Sequence, residues 1–310
     1  MSTIPHCADR LHRACEATDS LACVGLDPRP HLIPPQIAQA CRDEFGPGRE
    51  AVCAAYREFN RGLLAAIAGA CPAVKPQVAC YEAYGAPGIA VLEQTIAYAR
   101  SLGLEVIVDG KRNDIGSTAT HYQQAWLGQA PGLGEDDPIA GAGADWLTVT
   151  AYLGSDGVRP FLADPPGRTG VYILVKTSNP GSAELQGRAC EGATVMEAMA
   201  GLVARWGAGR CGETGLSDIG AVVGATYPDE ARGLRALMPD TPFLVPGYGA
   251  QGAGAADALA GLRPDGSGCL INSSRAIIGA WQQSDNGARG WQGAARAALE
   301  AMNADLNAHR

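Results

Sequence analysis

The chain has 310 residues, of which 46% are hydrophobic and 18% are charged, a composition that fits a compact protein with a large buried core. Its formal net charge of −8 argues against a nucleic-acid-binding surface, because such a surface needs a basic face. No apolar stretch is long enough to span a bilayer, and the first residues lack the apolar core of a secretory signal. We therefore expect a cytoplasmic protein without membrane contact.

Short apolar runs rich in β-branched residues alternate with longer Ala- and Leu-rich segments of helical periodicity. The apolar runs predict eight strands, at 21–27, 73–79, 104–111, 145–152, 170–178, 219–226, 242–249 and 268–275. The helical segments lie at 56–70, 89–103, 195–207, 228–238 and 290–306. Strands that alternate with helices indicate parallel pairing through right-handed crossovers, and near-continuous apolar runs indicate strands buried on both faces.

This alternation predicts a single α/β domain over residues 1–310, built as a (β/α)₈ TIM barrel. A doubly wound open sheet has the same strand spacing, so the polar residues at the strand ends decide between the two folds. Nearly every predicted strand ends in such a residue: Asp27, Lys75, Asp109, Lys111, Thr150, Ser178, Asn179, Thr226, Gln251 and Arg275. In a barrel all of these ends converge on one mouth, which favours the barrel.

Three segments depart from this rhythm. Residues 1–20 form an N-terminal extension, and the stretches 128–143 and 187–218 are longer than ordinary connections. We interpret 128–143 as a surface loop and 187–218 as an enlarged crossover with its own helix. The ten cysteines form no C-x-x-C pair and the five histidines show no zinc spacing, so we expect buried free thiols and no metal site.

The stretch VDGKRNDIGSTA, residues 108–119, places two acids and two bases within six positions. Because side chains alternate along a strand, Asp109 and Lys111 are expected to point to the same side. Asp114 lies beyond the strand end, near Thr118 at a predicted helix start. Taken alone, the pattern also fits a solvated strand end that carries an ion pair and a helix-capping aspartate.

Two further loops favour a functional interpretation. PGYGAQGAG (246–254) follows the seventh predicted strand, and NSSRAIIG (272–279) ends the eighth. In (β/α)₈ barrels these two loops typically form a phosphate site from backbone N–H groups, and Arg275 can add a bidentate contact. The sequence therefore predicts an enzyme that acts on a phosphorylated small molecule.

The charged cluster also limits the chemistry. The sequence contains neither a phosphate-binding G-x-x-x-x-G-K-[ST] loop nor a G-x-S-x-G nucleophile elbow. A lysine flanked by carboxylates stays protonated, which makes it a fixed cation and a proton donor. Such a group suits stabilising a carbanion and then protonating it, while neighbouring aspartates would disfavour a bound substrate carboxylate and assist loss of CO₂.

Seven motifs together resemble the orotidine 5′-phosphate decarboxylase family in its longer bacterial form: CVGLDPR, VKPQ, DGKRNDIGSTA, VKTSNPGS, VVGAT, PGYGAQG and SSRAI. The resemblance covers nearly the whole chain. It implies a homodimeric barrel without a cofactor that converts orotidine 5′-phosphate to UMP in the last step of de novo pyrimidine synthesis.

The resemblance also implies roles for individual residues. Lys111 would protonate C6 of the base, Asp109 would lie beside the scissile carboxylate, and Lys75 would complete the charge array while touching the ribose. Asp27 would bind a ribose hydroxyl, and Ser178 would contact the pyrimidine edge. The remaining implied residues are Gln251 between base and phosphate, Arg275 at the phosphate, Ser274 as a further substrate-binding residue, and Asp114, Ile115 and Thr118 in the neighbouring subunit's site.

Two alternatives stay open at this point. A related barrel decarboxylase or epimerase that acts on a sugar phosphate could use the same D-x-K-x-x-D pattern, and those relatives resemble metal-dependent enzymes. A non-catalytic nucleotide-binding barrel would leave the whole charge array without a use.

Overall fold

A computed structural model describes residues 4–134, 137–163, 165–249 and 252–310 of the chain. Eight parallel strands close into a barrel in sequence order, with the last strand paired to the first. These strands are β1 Ala22–Leu26, β2 Ala73–Pro76, β3 Glu105–Arg112, β4 Trp146–Val149, β5 Gly170–Lys176, β6 Ile219–Val223, β7 Phe243–Pro246 and β8 Cys269–Ser273. The predicted (β/α)₈ barrel is confirmed, and the open doubly wound sheet is excluded.

Helices surround the barrel. Their bounds are α1 Cys7–Thr18, α2 Pro35–Phe45, α3 Arg49–Ile67, α4 Val78–Glu82, α5 Gly85–Ser101, α6 Gly116–Trp126, α7 Val195–Gly207, α8 Pro228–Leu237, α9 Ala255–Ala258, α10 Arg275–Ile278 and α11 Trp291–His309. The five predicted helices are present: 195–207 has the predicted bounds, and the other four have shifted ends. The predicted helix 56–70 starts earlier, at Arg49, because its first turns also bury a face, and it stops before Gly69, whose φ of +73° is left-handed.

The barrel interior is packed with large aromatic side chains. The rings of Trp146 and Tyr172 lie 4.8 Å apart between centroids, and both residues are fully buried. Two glycines make room for them, because a Cβ at Gly170 would collide with the Trp146 ring and a Cβ at Gly220 would collide with the Tyr172 ring. The interior is therefore filled by side chains, and the chemistry is confined to the mouth at the carboxyl ends of the strands.

The N-terminal extension carries α1, which packs across the amino-terminal end of the barrel. The Arg10 guanidinium bonds Asp145 at 2.9 Å and Glu105 at 3.1 Å. Asp9, which is 2% exposed, accepts hydrogen bonds from the backbone N–H groups of Glu213 and Thr214 and from the Thr214 hydroxyl. These contacts tie α1 to the end of the barrel opposite the mouth and to the 187–218 segment.

Each of the two long connections contains a small antiparallel hairpin. In 128–143 the hairpin pairs Gln129–Ala130 with Ile139–Ala140. In 187–218 it pairs Ala189–Cys190 with Ala193–Thr194 and leads directly into α7. Thr194 and Glu197 form a capping box at the start of that helix.

The ten cysteines, all within the described residues, are free, and seven of them are buried. Burial raises the pKa of the Cys15 and Cys71 thiols to about 12, so both stay protonated and unreactive. In the part of the chain that the structure describes, no helix is both long and apolar enough to cross a membrane.

We predict that Asp9→Ala destabilises the protein by about 2–4 kcal/mol, because it removes three hydrogen bonds to a buried, charged acceptor. Chemical denaturation followed by circular dichroism measures the effect. Turnover of the folded variant should equal that of the parent, since Asp9 lies at the end of the barrel opposite the mouth. The matched control is Asp43→Ala on α2, an exposed aspartate whose loss should change the unfolding free energy by less than about 0.5 kcal/mol. An Asp9→Ala variant with the parent's unfolding midpoint would contradict this account of the anchor.

Candidate active site

The carboxyl ends of β2 to β7 surround a cavity of about 480 Å³ at the mouth of the barrel. Lys75, Asp109 and Lys111 line one side of it, and the segment after β5, with Ser178 and Gln186, lines the other. The structure therefore brings together the three charged residues that the sequence singled out and places Ser178 across the cavity from them.

Asp109 lies between the two lysines. Its Oδ2 is 2.7 Å from Lys75 Nζ, and its Oδ1 is 2.6 Å from Lys111 Nζ. Lys75 and Asp109 are 5% and 7% exposed, whereas the Lys111 side chain is 46% exposed at the cavity. The Lys75 ammonium group is therefore buried and fixed. The Lys111 ammonium group is bonded to Asp109 but remains accessible from the cavity.

Two neutral groups complete the environment of the Asp109 carboxylate. The Thr148 hydroxyl donates to Oδ1 at 2.9 Å, and the Gln77 amide donates to Oδ2 at 2.9 Å. Each carboxylate oxygen thus accepts one bond from an ammonium group and one from a neutral donor. A buried charge needs this degree of pairing, because an isolated one costs several kcal/mol.

The electrostatics of the cluster keep Asp109 and Lys75 charged. Burial alone would raise the pKa of Asp109, but the ammonium groups of Lys75 and Lys111 more than offset it and hold that pKa well below its usual range. Burial alone would lower the pKa of Lys75, but Asp109 and then Asp27 raise that pKa above its ordinary value. At neutral pH Asp109 is therefore ionised and Lys75 is protonated.

Lys111 reaches Asp109 through an irregular strand end. Its φ of +44° is in the left-handed region, which a residue with a side chain occupies only at a cost of about 1–2 kcal/mol. The pairing of β3 with β4 shifts register between Val108 and Arg112, and the Lys111 N–H donates to Thr148 Oγ1 at 2.9 Å. Lys111 and Asp109 do meet, as expected. A bulge in the strand brings them together, however, and not the regular alternation of side chains.

Other implied ligands lie around the rim. Asp27 Oδ1 is buried and has no hydrogen-bond partner among the described residues, so it is free to accept a bond from a ligand hydroxyl. Ser274 packs against Gly25 of β1, where an added Cβ would collide with the Ser274 hydroxyl. Arg275 is exposed at the start of α10. Gln251 lies outside the described residues.

Asp114, Ile115 and Thr118 do not join the array within one protomer. The Asp114 carboxylate accepts a bond from the Ile115 N–H at 2.8 Å, at the turn that precedes α6. Ile115 is 51% exposed, and Thr118 is exposed on α6. Their expected place in a neighbouring subunit's site stays a prediction.

Sequence reasoning missed three residues of the site. Gln77 and Thr148 bond Asp109, and Gln186 lines the opposite wall. The strand pattern indicates Thr150 as the polar residue at the end of the fourth strand, whereas the threonine that faces the interior is Thr148 within β4. A hydroxyl inside an otherwise apolar strand was the available signal for Thr148. Gln186 lies in a loop and gave none.

The sequence contains only three lysines against 21 arginines, and all three lysines lie at the carboxyl ends of barrel strands. Lys176, the last residue of β5, is 2% exposed, and its Nζ lies 3.4 Å from Glu230 and 4.0 Å from the centre of the Tyr227 ring. An ammonium group is a compact point charge, whereas guanidinium is a wide planar fork, so the two are not interchangeable in such narrow sites.

Within the described residues, no His, Cys, Asp or Glu side chains form a group of three or more that could hold a metal ion.

Comparison with known proteins agrees with this geometry. The family model described as orotidine 5′-phosphate decarboxylase / HUMPS family matches residues 22–288. The orotidine 5′-phosphate decarboxylase of Rhodopirellula baltica is 42% identical over 304 residues, covering 96% of this chain and 98% of the relative. That of Deinococcus radiodurans is 40% identical, covering 92% and 91%. The solved OMP decarboxylase of Leishmania donovani is 30% identical with a TM-score of 0.72, covering 97% and 99%. The fold and site define a barrel enzyme with a lysine–aspartate array, and the chain belongs to the orotidine 5′-phosphate decarboxylase family.

We predict that Thr148→Val lowers turnover about 10- to 100-fold, because it removes one donor to Asp109 and the acceptor of the strained Lys111 N–H without changing the shape of the side chain. Steady-state kinetics on the purified variant measures the effect. Thr241→Val, at a buried threonine just before β7 and away from the cavity, is the matched control and should keep the parent's turnover. Equal turnover in parent and Thr148→Val would show that this hydroxyl does not hold the array.

Proposed function

We propose that this protein decarboxylates orotidine 5′-phosphate to UMP with Lys111 as the proton donor, as the final step of pyrimidine biosynthesis in the cytoplasm. The observation that carries the proposal is the buried Asp109 carboxylate, which holds two ammonium groups in one cavity. The names of the curated relatives support this reaction over a sugar-phosphate decarboxylase or epimerase.

In the proposed reaction the bond between C6 and the carboxylate carbon breaks, and CO₂ leaves. The electron pair stays on C6, and Lys111 Nζ donates one proton to it, which leaves a neutral amine that regains a proton from solvent. A positive charge fixed beside the developing carbanion lowers the barrier more than it favours the bound substrate. Lys111 suits this role because its ammonium group is anchored to Asp109 yet open to the cavity.

Asp109 would raise the free energy of the bound substrate, in addition to positioning the two lysines. Its pKa is held low, so it stays ionised when the substrate carboxylate binds beside it. The repulsion between the two carboxylates is relieved when CO₂ departs. Lys75 neutralises the buried side of Asp109, so the charge of that carboxylate remains paired within the protein.

The other end of the substrate would supply the binding energy. We assign the phosphate to Arg275 and Ser274 together with Gln251, and a ribose hydroxyl to the unpartnered oxygen of Asp27 and to Lys75. Binding energy from a remote phosphate can offset the cost of placing a carboxylate beside Asp109. The exposed position of Arg275 suits a guanidinium that meets an incoming phosphate.

We expect Lys111→Ala to lower the turnover number by at least about 10⁴-fold, since it removes both the proton donor and the fixed cation. The loss of ultraviolet absorbance of orotidine 5′-phosphate follows the reaction directly. Arg232→Ala, at an exposed arginine of α8, is the control and should retain full activity. Near-parental turnover in Lys111→Ala would overturn the assigned role of Lys111, and absence of decarboxylation by the parent protein would overturn the proposed function.

We further infer that two copies of the chain form a dimer in which Asp114, Ile115 and Thr118 of one copy complete the site of the other. Apolar side chains are exposed beside the mouth on this face: Ile115 is 51%, Tyr152 78% and Leu153 45% exposed. Gly157 lies against both Leu153 and the Asp114 backbone, so these residues form one continuous surface. Grouped exposed apolar residues of this kind mark an interaction site.

Mixing two inactive variants tests this arrangement. If Asp114 serves the neighbouring site, a dimer of one Lys111→Ala subunit and one Asp114→Ala subunit contains one intact site and one doubly defective site. Random exchange of subunits should then restore about a quarter of the parental activity, because half of the dimers are mixed and each has one intact site. If Asp114 serves its own subunit, every site in the mixture is defective and no activity returns.

A further inference from the structure

Gln186 forms a two-point contact with Thr177, the residue that precedes Ser178. Its Oε1 accepts a hydrogen bond from the Thr177 backbone N–H at 3.0 Å, and its Nε2 donates to Thr177 Oγ1 at 2.8 Å. The Thr177 hydroxyl then donates to Asn179 Oδ1 at 2.6 Å. Because a backbone N–H can only donate, the orientation of the Gln186 amide is fixed: its Oε1 accepts and its Nε2 donates.

The contact lies in the wall of the substrate cavity. Thr177, Ser178, Asn179 and Gln186 all line the cavity, opposite the lysine–aspartate array. On its other side Ser178 is confined by Gly224, where an added Cβ would lie 2.9 Å from the backbone N and Cα of Ser178. The Ser178 backbone is thus held between the end of β6 and the Gln186 amide.

Gln186 is also the point where the 187–218 segment joins this wall. Its carbonyl accepts a hydrogen bond from the Met196 N–H at 3.0 Å, in the first turn of α7, and the Arg188 carbonyl accepts from the Val195 N–H at 2.9 Å. Helix α7 in turn packs against β5 and β6. A firmly packed helix therefore supports the backbone of Gln186, whose side chain supports Thr177.

We propose that Gln186 is a positioning residue that orients Ser178 toward the pyrimidine, and that the hairpin and α7 of the 187–218 segment act on the site through it. This inference rests on the proposed function, because it assigns Ser178 to the base. It gives the long connection a role: residues far from the reacting carbon keep one wall of the cavity in place.

The test separates ligands that carry a base from those that do not. Dissociation constants of UMP and of ribose 5-phosphate are measured by calorimetry for the parent, Gln186→Ala, Ser178→Ala and the double variant. We expect Gln186→Ala to weaken UMP binding about 10-fold and to leave ribose 5-phosphate binding unchanged, since the loss concerns contacts to the base alone. The double variant should bind UMP as Ser178→Ala does, because both changes remove one interaction.

Two further variants guard the interpretation. Glu184 is exposed and lies two residues before Gln186, and Glu184→Ala should match the parent in its affinities for UMP and for ribose 5-phosphate. Thr177→Val removes the hydroxyl that Gln186 and Asn179 share, and it should show the same selective loss of UMP affinity if Gln186→Ala fails to fold.

Parental UMP affinity in Gln186→Ala, or an equal loss of UMP and ribose 5-phosphate affinity, would overturn the inference. Unchanged UMP affinity in Ser178→Ala would also overturn the inference. In each of these cases, decarboxylation of orotidine 5′-phosphate by the parent would leave the proposed function standing. A parent that neither decarboxylates orotidine 5′-phosphate nor binds UMP more tightly than ribose 5-phosphate would overturn both.

Discussion

The mouth of this barrel is organised by one buried carboxylate. Asp109 accepts four hydrogen bonds, two of them from the ammonium groups of Lys75 and Lys111. Without the carboxylate, Lys75 would be a buried cation that has lost its directly bonded anion. Lys111 would lose the carboxylate that anchors its ammonium group. The folded chain itself pairs these charges, so folding bears the cost of bringing them together.

The charge distribution of the whole chain is consistent with the proposed division of binding between two ends of the substrate. The net charge is −8, so an anionic ligand must be attracted by local cations against the overall field. Lys75 and Lys111 supply them at one end of the proposed site, and Arg275 would supply one at the other. A phosphate held by Arg275 would contribute binding energy without touching the reacting carbon, and that energy would offset the unfavourable approach of a carboxylate to Asp109.

The eight strands could be predicted from the sequence because a strand covered on both faces must be apolar along its length, and the motif residues Asp109 and Lys111 followed from their position at a strand end. The rest depends on three-dimensional contacts that no local pattern encodes. The left-handed backbone of Lys111 and the bulge in β3 arise from pairing with β4, and the hydroxyl of Thr148 serves the site only because that pairing brings it to Asp109. The Gln186 contact depends on the packing of α7, and the proposed role of Asp114 depends on a second chain.

The central claim is that Asp109 holds Lys111 where the reacting carbon will be, and a crystal structure of the protein with UMP bound tests it most directly. The account predicts that C6 of the base lies about 3–3.5 Å from Lys111 Nζ, with both lysines still bonded to Asp109 and the phosphate at Arg275. A base whose C6 faces away from Lys111, or an Asp109 carboxylate that has released both lysines, would contradict it.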